Sequence, residues 1–448
     1  MIPLLTNSAA SYRAQAREDL SRGTFDLLVI GGGILGISVT WMAAQAGLRV
    51  AMVDAGDFAA ATSSASSKLV HGGLRYLQTG NFKLVAENHR ERRALAESIA
   101  PHMVQPLQFL VPIYENGPHR AAKLGAGVFL YSALSAFGDG MGHIVSAKAA
   151  QRRVPALKSA GLKSAAVYTD HQMNDSRMAI MTVRAAVDAG AVVLNHAAIT
   201  GLNKTSGRVT GASVRDTLTG AELEISARLV LNATGPWVDH LRRMEDPSCA
   251  PSIRLSKGAH LVMRRHEPWR AALTIPVDKY RVSFAIPWED NLLLGTTDER
   301  YEGDPADVRA TQADIDQILG EASLGLDASQ LRSSDVIYSF AGLRVLPAGK
   351  GGTSAAKRET VVSVAGAAWC RWPGASGRPI VTSAATCSTG SPACALVRCA
   401  EKSWRRPARF PCPAWPLLAR WRTGSPVTLW IQRWLNTLPP ITERFRST

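Results

Sequence analysis

Apolar and polar positions fall in blocks along this chain, and the blocks predict an α/β order. Phe25-Asp26-Leu27-Leu28-Val29-Ile30 is a short, nearly continuous apolar run. Such a run suits a parallel strand buried on both faces. Ile34–Gln45 reads as a helix stopped near Gly47, and 48–53 reads as a second apolar strand. Further strands are predicted at 227–231 and 292–294. Residues 83–100 read as a helix with a charged face. The segments 101–169 and 251–335 alternate strands and helices without nucleotide signals, which predicts a second domain built on an antiparallel sheet. The stretch 124–138 is uncharged, between Lys123 and Asp139. It predicts a core helix, with a membrane-surface contact as the second reading. It falls short of the roughly 20 apolar residues that span a bilayer.

Composition narrows the class. The chain has 448 residues, 46% hydrophobic and 19% charged, which predicts two to three globular domains with a real core. The first 24 residues mix Arg13, Arg17 and Arg22 with Glu18 and Asp19 and lack a signal-like apolar region. A membrane-spanning protein, a secreted disulfide scaffold and a disordered chain are all disfavoured. The net charge of +15 invites a nucleic-acid reading until it is located. Residues 365–448 carry 12 basic and 2 acidic residues, five of six cysteines and seven of eleven tryptophans. The basicity belongs to this tail, and no nucleic-acid module accompanies it. Its cysteines lack ligand spacing, so no metal site is expected.

The first strand runs into Gly31, Gly33 and Gly36, spaced G-x-G-x-x-G, and the second ends at Asp54. Strand, glycine turn, helix and terminal acid together form a dinucleotide fingerprint. Glycines admit a pyrophosphate to the backbone, the helix start offers free N–H groups, and the acid accepts ribose hydroxyls. A tight turn that merely packs helix on strand is the bland alternative. The loop that follows, Ala61-Thr62-Ser63-Ser64-Ala65-Ser66-Ser67-Lys68, is rich in hydroxyls and leads to His71-Gly72-Gly73-Leu74-Arg75-Tyr76. Hydroxyls there suit phosphates and a ribityl chain, which favours FAD over NAD; a solvated linker is the alternative. Gly235 closes a turn, Asn232-Ala233-Thr234-Gly235, suited to close backbone approach. Arg75, Arg344 and Arg358 lie in apolar or glycine-rich settings, where a planar fork can grip a phosphate.

These motifs closely resemble the FAD-dependent glycerol-3-phosphate dehydrogenases. The resemblance starts in GGGILGISVTWMAAQAGLRVAMVDAGDFAAATSSASSKLVHGGLRYL and continues through Tyr168-Thr169-Asp170 with Asn174-Asp175-Ser176-Arg177-Met178. It includes Asn232-Ala233-Thr234-Gly235-Pro236-Trp237, Arg254-Leu255-Ser256-Lys257-Gly258-Ala259-His260 and Gly295-Thr296-Thr297-Asp298. It ends with Gly342-Leu343-Arg344-Val345-Leu346 and Lys357-Arg358-Glu359, with Val345 where the family has proline. It implies an α/β fold: a discontinuous Rossmann-like FAD-binding domain (25–100, 170–250, 336–364) and an α+β substrate domain (101–169, 251–335). FAD would lie on Gly31, Gly33, Gly36, Asp54 and Gly235, with Thr62, Ser63, Ser64 and Ser67 along its phosphates and ribityl chain. Arg344 would clamp the phosphate of glycerol 3-phosphate, assisted by Arg75, Tyr76 and Thr296. His260 would stand near the reacting carbon, and Arg358 would stabilise the alkoxide. The resemblance also implies a quinone acceptor and peripheral attachment to the inner face of the cytoplasmic membrane, and it allows a homodimer.

The tail departs from the family. A G-G-K-x-T-T-Y motif is due after the arginine segment, and Ala367-Ala368-Trp369-Cys370-Arg371-Trp372-Pro373-Gly374-Ala375-Ser376-Gly377-Arg378-Pro379-Ile380-Val381 stands there instead. Back-translated and regrouped one base earlier, this region permits G-M-V-S-V-A-G-G-K-R-T-T-Y-R. Residues 365–448 therefore read as an out-of-frame translation, expected to pack badly. Two alternatives remain: a related oxidase of an amine or 2-hydroxy acid that uses oxygen, and an inactive truncated remnant.

Overall fold

The computed structural model describes residues 9–278 and 281–349, together with two short strands, Ser363–Ala365 and Trp369–Arg371. The chain folds around two sheets. Thr24–Ile30 is central in the first, parallel to Val50–Val53 on one side and Glu222–Asn232 on the other. Val192–Leu194 extends it beyond Val50–Val53, and Trp369–Arg371 lies beside Glu222–Asn232. The period of two along Thr24–Ile30 decides which side chain meets which layer. Leu27 and Val29 pack with Ile37 and Ala44 of the helix Ile34–Gln45 and with Ala179 and Val183 of the helix Asp175–Asp188. Leu28 and Ile30 face the other way, onto Ala16 and Leu20 of the helix Ala9–Leu20 and onto the hairpin residues Ala212 and Val214.

Register then sets up a site. Ile30 lies level with both Val53 and Asn232. Gly31, Asp54 and Ala233 therefore emerge side by side at the carboxyl end of the sheet, where open α/β sheets bind ligands.

The second sheet has ten strands in the order Glu299–Tyr301, Ile253–Arg264, Asn291–Gly295, Val282–Trp288, Ala272–Pro276, Val104–Tyr114, Leu162–Met173, Leu69–Val70. Val336–Pro347 pairs with Ile253–Arg264 and His143–Ser146 with Leu162–Met173. Its pairings are antiparallel except that of Ala272–Pro276 with Val104–Tyr114, which is parallel. One face buries Leu110, Leu261, Leu273 and Ile318; the other buries Phe109, Tyr131, Tyr168 and Ile286.

Three sequence expectations change here. Val336–Pro347, expected in the nucleotide-binding part, lies in the second sheet, held along its length by Ile253–Arg264. The helix expected over 83–100 spans Phe82–Ala94 and continues as a wider π turn, Leu95–Ile99. Lys83 and Arg90 keep an exposed charged face, while Asn88, His89 and Arg92 are buried. The stretch 124–138 supplies the helix Ala121–Leu134, which is only half a core helix. Val128 and Tyr131 are buried, while Phe129 is 50% and Leu130 40% exposed. Among the described residues no helix is long and apolar enough to cross a membrane.

Candidate active site

The glycine turn is built for close backbone approach. A Cβ on Gly36 would lie 1.8 Å from the Gly31 carbonyl oxygen, so helix and strand could not close up with any other residue there. Gly31 has φ +109°, and a Cβ on it would meet the Ala233 carbonyl oxygen at 2.6 Å. Asp54 ties the turn down: its Oδ2 accepts from the Gly32 N–H at 2.6 Å and its Oδ1 from the Gly56 N–H at 2.8 Å. Burial pushes its carboxyl above the usual value, and these two N–H donors oppose the push. Each oxygen keeps a lone pair for a ribose hydroxyl. Ser63 Oγ accepts from the Ile34 N–H at 2.8 Å, so a hydroxyl caps the first helical turn and still has its own proton to donate. Gly235, at φ +55°, has open space where its Cβ would be. A glycine cradle, a hydroxyl at a helix N-terminus and an acid at the second strand end fit the pyrophosphate and ribose of a dinucleotide.

The hydroxyl loop beyond Ser63 divides its work. Thr62 Oγ1 donates to the Leu343 carbonyl at 2.8 Å and so ties the loop to the second sheet. Ser64 Oγ turns back to the Ala61 carbonyl. Ser67 Oγ lies 2.8 Å from His260 Nε2.

His260 centres a second cluster. It sits in Ile253–Arg264 opposite Gly295, whose Cβ, were there one, would lie 2.8 Å from the imidazole Cδ2. Its ring stacks on Phe340 with centroids 5.0 Å apart. It is 3% exposed, and burial, with the cations Arg344 and Lys68 nearby, pushes its pKa down to about 3. The imidazole is therefore neutral at ordinary pH, and its Nδ1 makes no hydrogen bond. Arg344 donates from Nη2 to Thr296 Oγ1 at 3.0 Å and from Nη1 to the Thr297 carbonyl at 3.1 Å; Asp298 stands 3.6 Å away. Gly258 makes room for this arrangement, since a Cβ there would meet Arg344 Nη2 at 2.6 Å and Thr296 Oγ1 at 2.7 Å.

The structure thus brings Ser67, His260, Thr296 and Arg344 into one cluster and Gly31, Gly33, Gly36, Asp54 and Ser63 into another. Tyr76 lies in the 3-10 turn Leu74–Thr79, with its ring against Gly73. The Arg75 side chain, Arg358 and most of the tail lie outside the described residues. Sequence reasoning missed Lys68, Asp175 and Phe340. Lys68 Nζ donates to Asp175 Oδ1 and to the Ser64 carbonyl, each at 2.6 Å, while Ser66 Oγ donates to Asp175 Oδ2 at 2.6 Å. The signal was present: a lysine among serines, and an aspartate already inside a quoted motif. Among the described residues no group of acids, histidines and cysteines could hold a metal.

Comparison with known proteins agrees with this geometry. Residues 26–387 match the family described as FAD dependent oxidoreductase. The chain is 35% identical over 356 residues to an alpha-glycerophosphate oxidase of Lactococcus lactis, covering 76% of this chain and 58% of that protein. It is 39% identical over 355 residues to a glycerol-3-phosphate dehydrogenase of Mycobacterium leprae, covering 79% and 60%. The chain thus spans about three fifths of the length of these curated relatives. The solved glycerol-3-phosphate dehydrogenase of Bacillus halodurans, complexed with FAD, superposes with a TM-score of 0.67 at 28% identity, over 94% of this chain and 70% of that one. The fingerprint, the cradle and the match over most of the chain converge: this protein belongs to the FAD-dependent oxidoreductase family.

Proposed function

We propose that this chain oxidises sn-glycerol 3-phosphate to dihydroxyacetone phosphate and passes the electrons to a quinone. Bound FAD supplies the hydride acceptor. The names of the relatives support this substrate, and the observation that carries it is the placement of Arg344 beside neutral His260. Arg344 presents a fixed guanidinium, oriented by Thr296 Oγ1 and the Thr297 carbonyl, to the substrate phosphate. Arg75 and Tyr76 assist from the turn after Gly73, and Arg358 stabilises the developing alkoxide. His260 takes the hydroxyl proton. Its basicity is held down partly by Arg344, so a phosphate dianion on that arginine offsets the charge and makes His260 a better base once substrate is in place.

The membrane surface completes this reading. Phe129, Leu130, Phe137, Met141 and Ile144 are exposed on and just beyond the helix Ala121–Leu134. An apolar patch of this kind suits peripheral contact with the inner face of the cytoplasmic membrane, where quinone is dissolved. Relatives named alpha-glycerophosphate oxidase favour a second reading, the same substrate with oxygen as acceptor. The out-of-frame origin of residues 365–448 stands as a separate proposal, and sequencing the DNA across codons 355–385 tests it. No single-base shift restoring the glycine-lysine motif would end that idea.

Assaying the purified chain with glycerol 3-phosphate, glycerol, glycine and lactate, with menadione or oxygen as acceptor, tests the function. Turnover with glycerol 3-phosphate and menadione, without peroxide, is expected. Peroxide release would move the acceptor to oxygen, and turnover of glycine or lactate with glycerol 3-phosphate inert would overturn the substrate.

A further inference from the structure

Behind the His71-Gly72-Gly73 turn lies a polar cluster that the reaction above does not use. Asp170, 3% exposed, accepts three bonds at one oxygen: from the Gly72 N–H at 2.9 Å, from the Tyr131 hydroxyl at 2.7 Å and from the Arg92 guanidinium. Arg92, 1% exposed, also pairs with Asp139 and donates to the Thr169 carbonyl. From the same helix Asn88 Nδ2 donates to the Gly72 carbonyl at 3.3 Å. Both polar groups of Gly72 are therefore held by buried side chains of Phe82–Ala94 and Leu162–Met173.

The glycine is required by this grip. A Cβ on Gly72 would lie 2.5 Å from the Tyr131 hydroxyl and 2.6 Å from His89 Cε1. The next residue, Gly73, has φ +80° and receives the Tyr76 ring, and its carbonyl accepts the Tyr76 N–H at 2.8 Å. A hydrogen-bonded path thus runs from the buried charges through Gly72 and Gly73 to Tyr76. A buried ion pair adds little net stability, since desolvation offsets its attraction. What it does supply is a single geometry.

We propose that Asp170, Arg92 and Asn88 are positioning residues that fix the Gly72–Gly73 turn, and so set the placement of the substrate-side residue Tyr76. This rests on the reading of Tyr76 given above. The test combines amide hydrogen exchange, read by mass spectrometry, with kinetics on the full-length holoenzyme. Asp170→Asn keeps the shape and removes the charge. Asn88→Ala removes one bond and leaves the ion pair intact, which guards against a variant that merely unfolds. Both are expected to speed exchange in the peptide covering 71–77 at least tenfold, with exchange at 31–36 and FAD content unchanged. The KM for glycerol 3-phosphate should rise roughly tenfold while kcat falls less than threefold. Unchanged exchange at 71–77 in Asn88→Ala would overturn the grip, and faster exchange with an unaltered KM would overturn its role in substrate placement. If the unsubstituted chain fails to turn over glycerol 3-phosphate, the proposed function falls, and the exchange data still decide the grip.

Discussion

The nucleotide cradle and the His260 cluster are built in opposite ways. The cradle is mostly backbone, tied down by the Asp54 and Ser63 side chains, and except for the Ala233–Gly235 turn it comes from one stretch of the chain, Gly31 to Ser63, with glycines where a side chain would collide. The His260 cluster is side chain, drawn from residues far apart: Ser67, His260, Thr296, Phe340 and Arg344. The first needs space and N–H groups; the second needs a particular charge balance. Two arginines show what that balance means. Arg92 is buried between two carboxylates and is electrostatically spent. Arg344 donates to the neutral oxygens of Thr296 and Thr297 and stands 3.6 Å from the single carboxylate of Asp298.

The sharpest way to break the cradle is Gly36→Ala. The new methyl would meet a backbone carbonyl at 1.8 Å, which only a shift of helix or strand can relieve. Overpacking costs about 1–3 kcal/mol where neighbours can yield, and more is expected here. The purified variant should lack the flavin absorbance of the wild type and melt at a lower temperature; full flavin content would contradict the assignment. The matching blow to the other cluster is Arg344→Ala. Losing a charge-assisted bond worth about 1.5–3 kcal/mol should raise the KM for glycerol 3-phosphate roughly 10- to 100-fold, with flavin content unchanged. An unaltered KM would remove Arg344 from phosphate binding.

This contrast also explains what could be read from sequence. The cradle was legible because its chemistry is local: strand, glycines, helix and Asp54 follow one another within thirty residues. Motifs pointed to His260 and Arg344 separately, but their neighbours depend on the pairing of Ile253–Arg264 with Asn291–Gly295 and Val336–Pro347, a register no local pattern specifies. The Phe340 stack follows from that pairing, which sets His260 opposite Phe340. The burial of Arg92 was illegible for the same reason. A charged helical face looks solvated until Asp139 and Asp170 arrive from elsewhere to neutralise it.

Smaller effects sharpen the comparison. His260 and His89 both have pKa values lowered to about 3, chiefly by burial, and His171 is lowered too. In the unfolded chain these rings bind protons from about pH 6.5 downward, whereas the folded protein resists until much lower pH. Their contribution is therefore complete above about pH 6.5 and is lost as pH falls toward 3. At pH 5 the loss is on the order of 2 kcal/mol each for His260 and His89. Urea midpoints should fall steadily between pH 6.5 and 4, and replacing His89 with Gln should flatten the slope. Thr62→Val should have the mildest effect, about 1 kcal/mol for the lost bond to the Leu343 carbonyl, read as a small drop in melting temperature with flavin content and KM unchanged. A large loss of flavin there would return Thr62 to the cofactor.

The central proposal is that the cradle holds FAD and the His260 cluster delivers glycerol 3-phosphate to it. An anaerobic absorption spectrum of the purified chain, before and after adding glycerol 3-phosphate, tests both at once. The account predicts a flavin band that bleaches with glycerol 3-phosphate and persists with glycerol. A flavin band that glycerol 3-phosphate leaves untouched would contradict it.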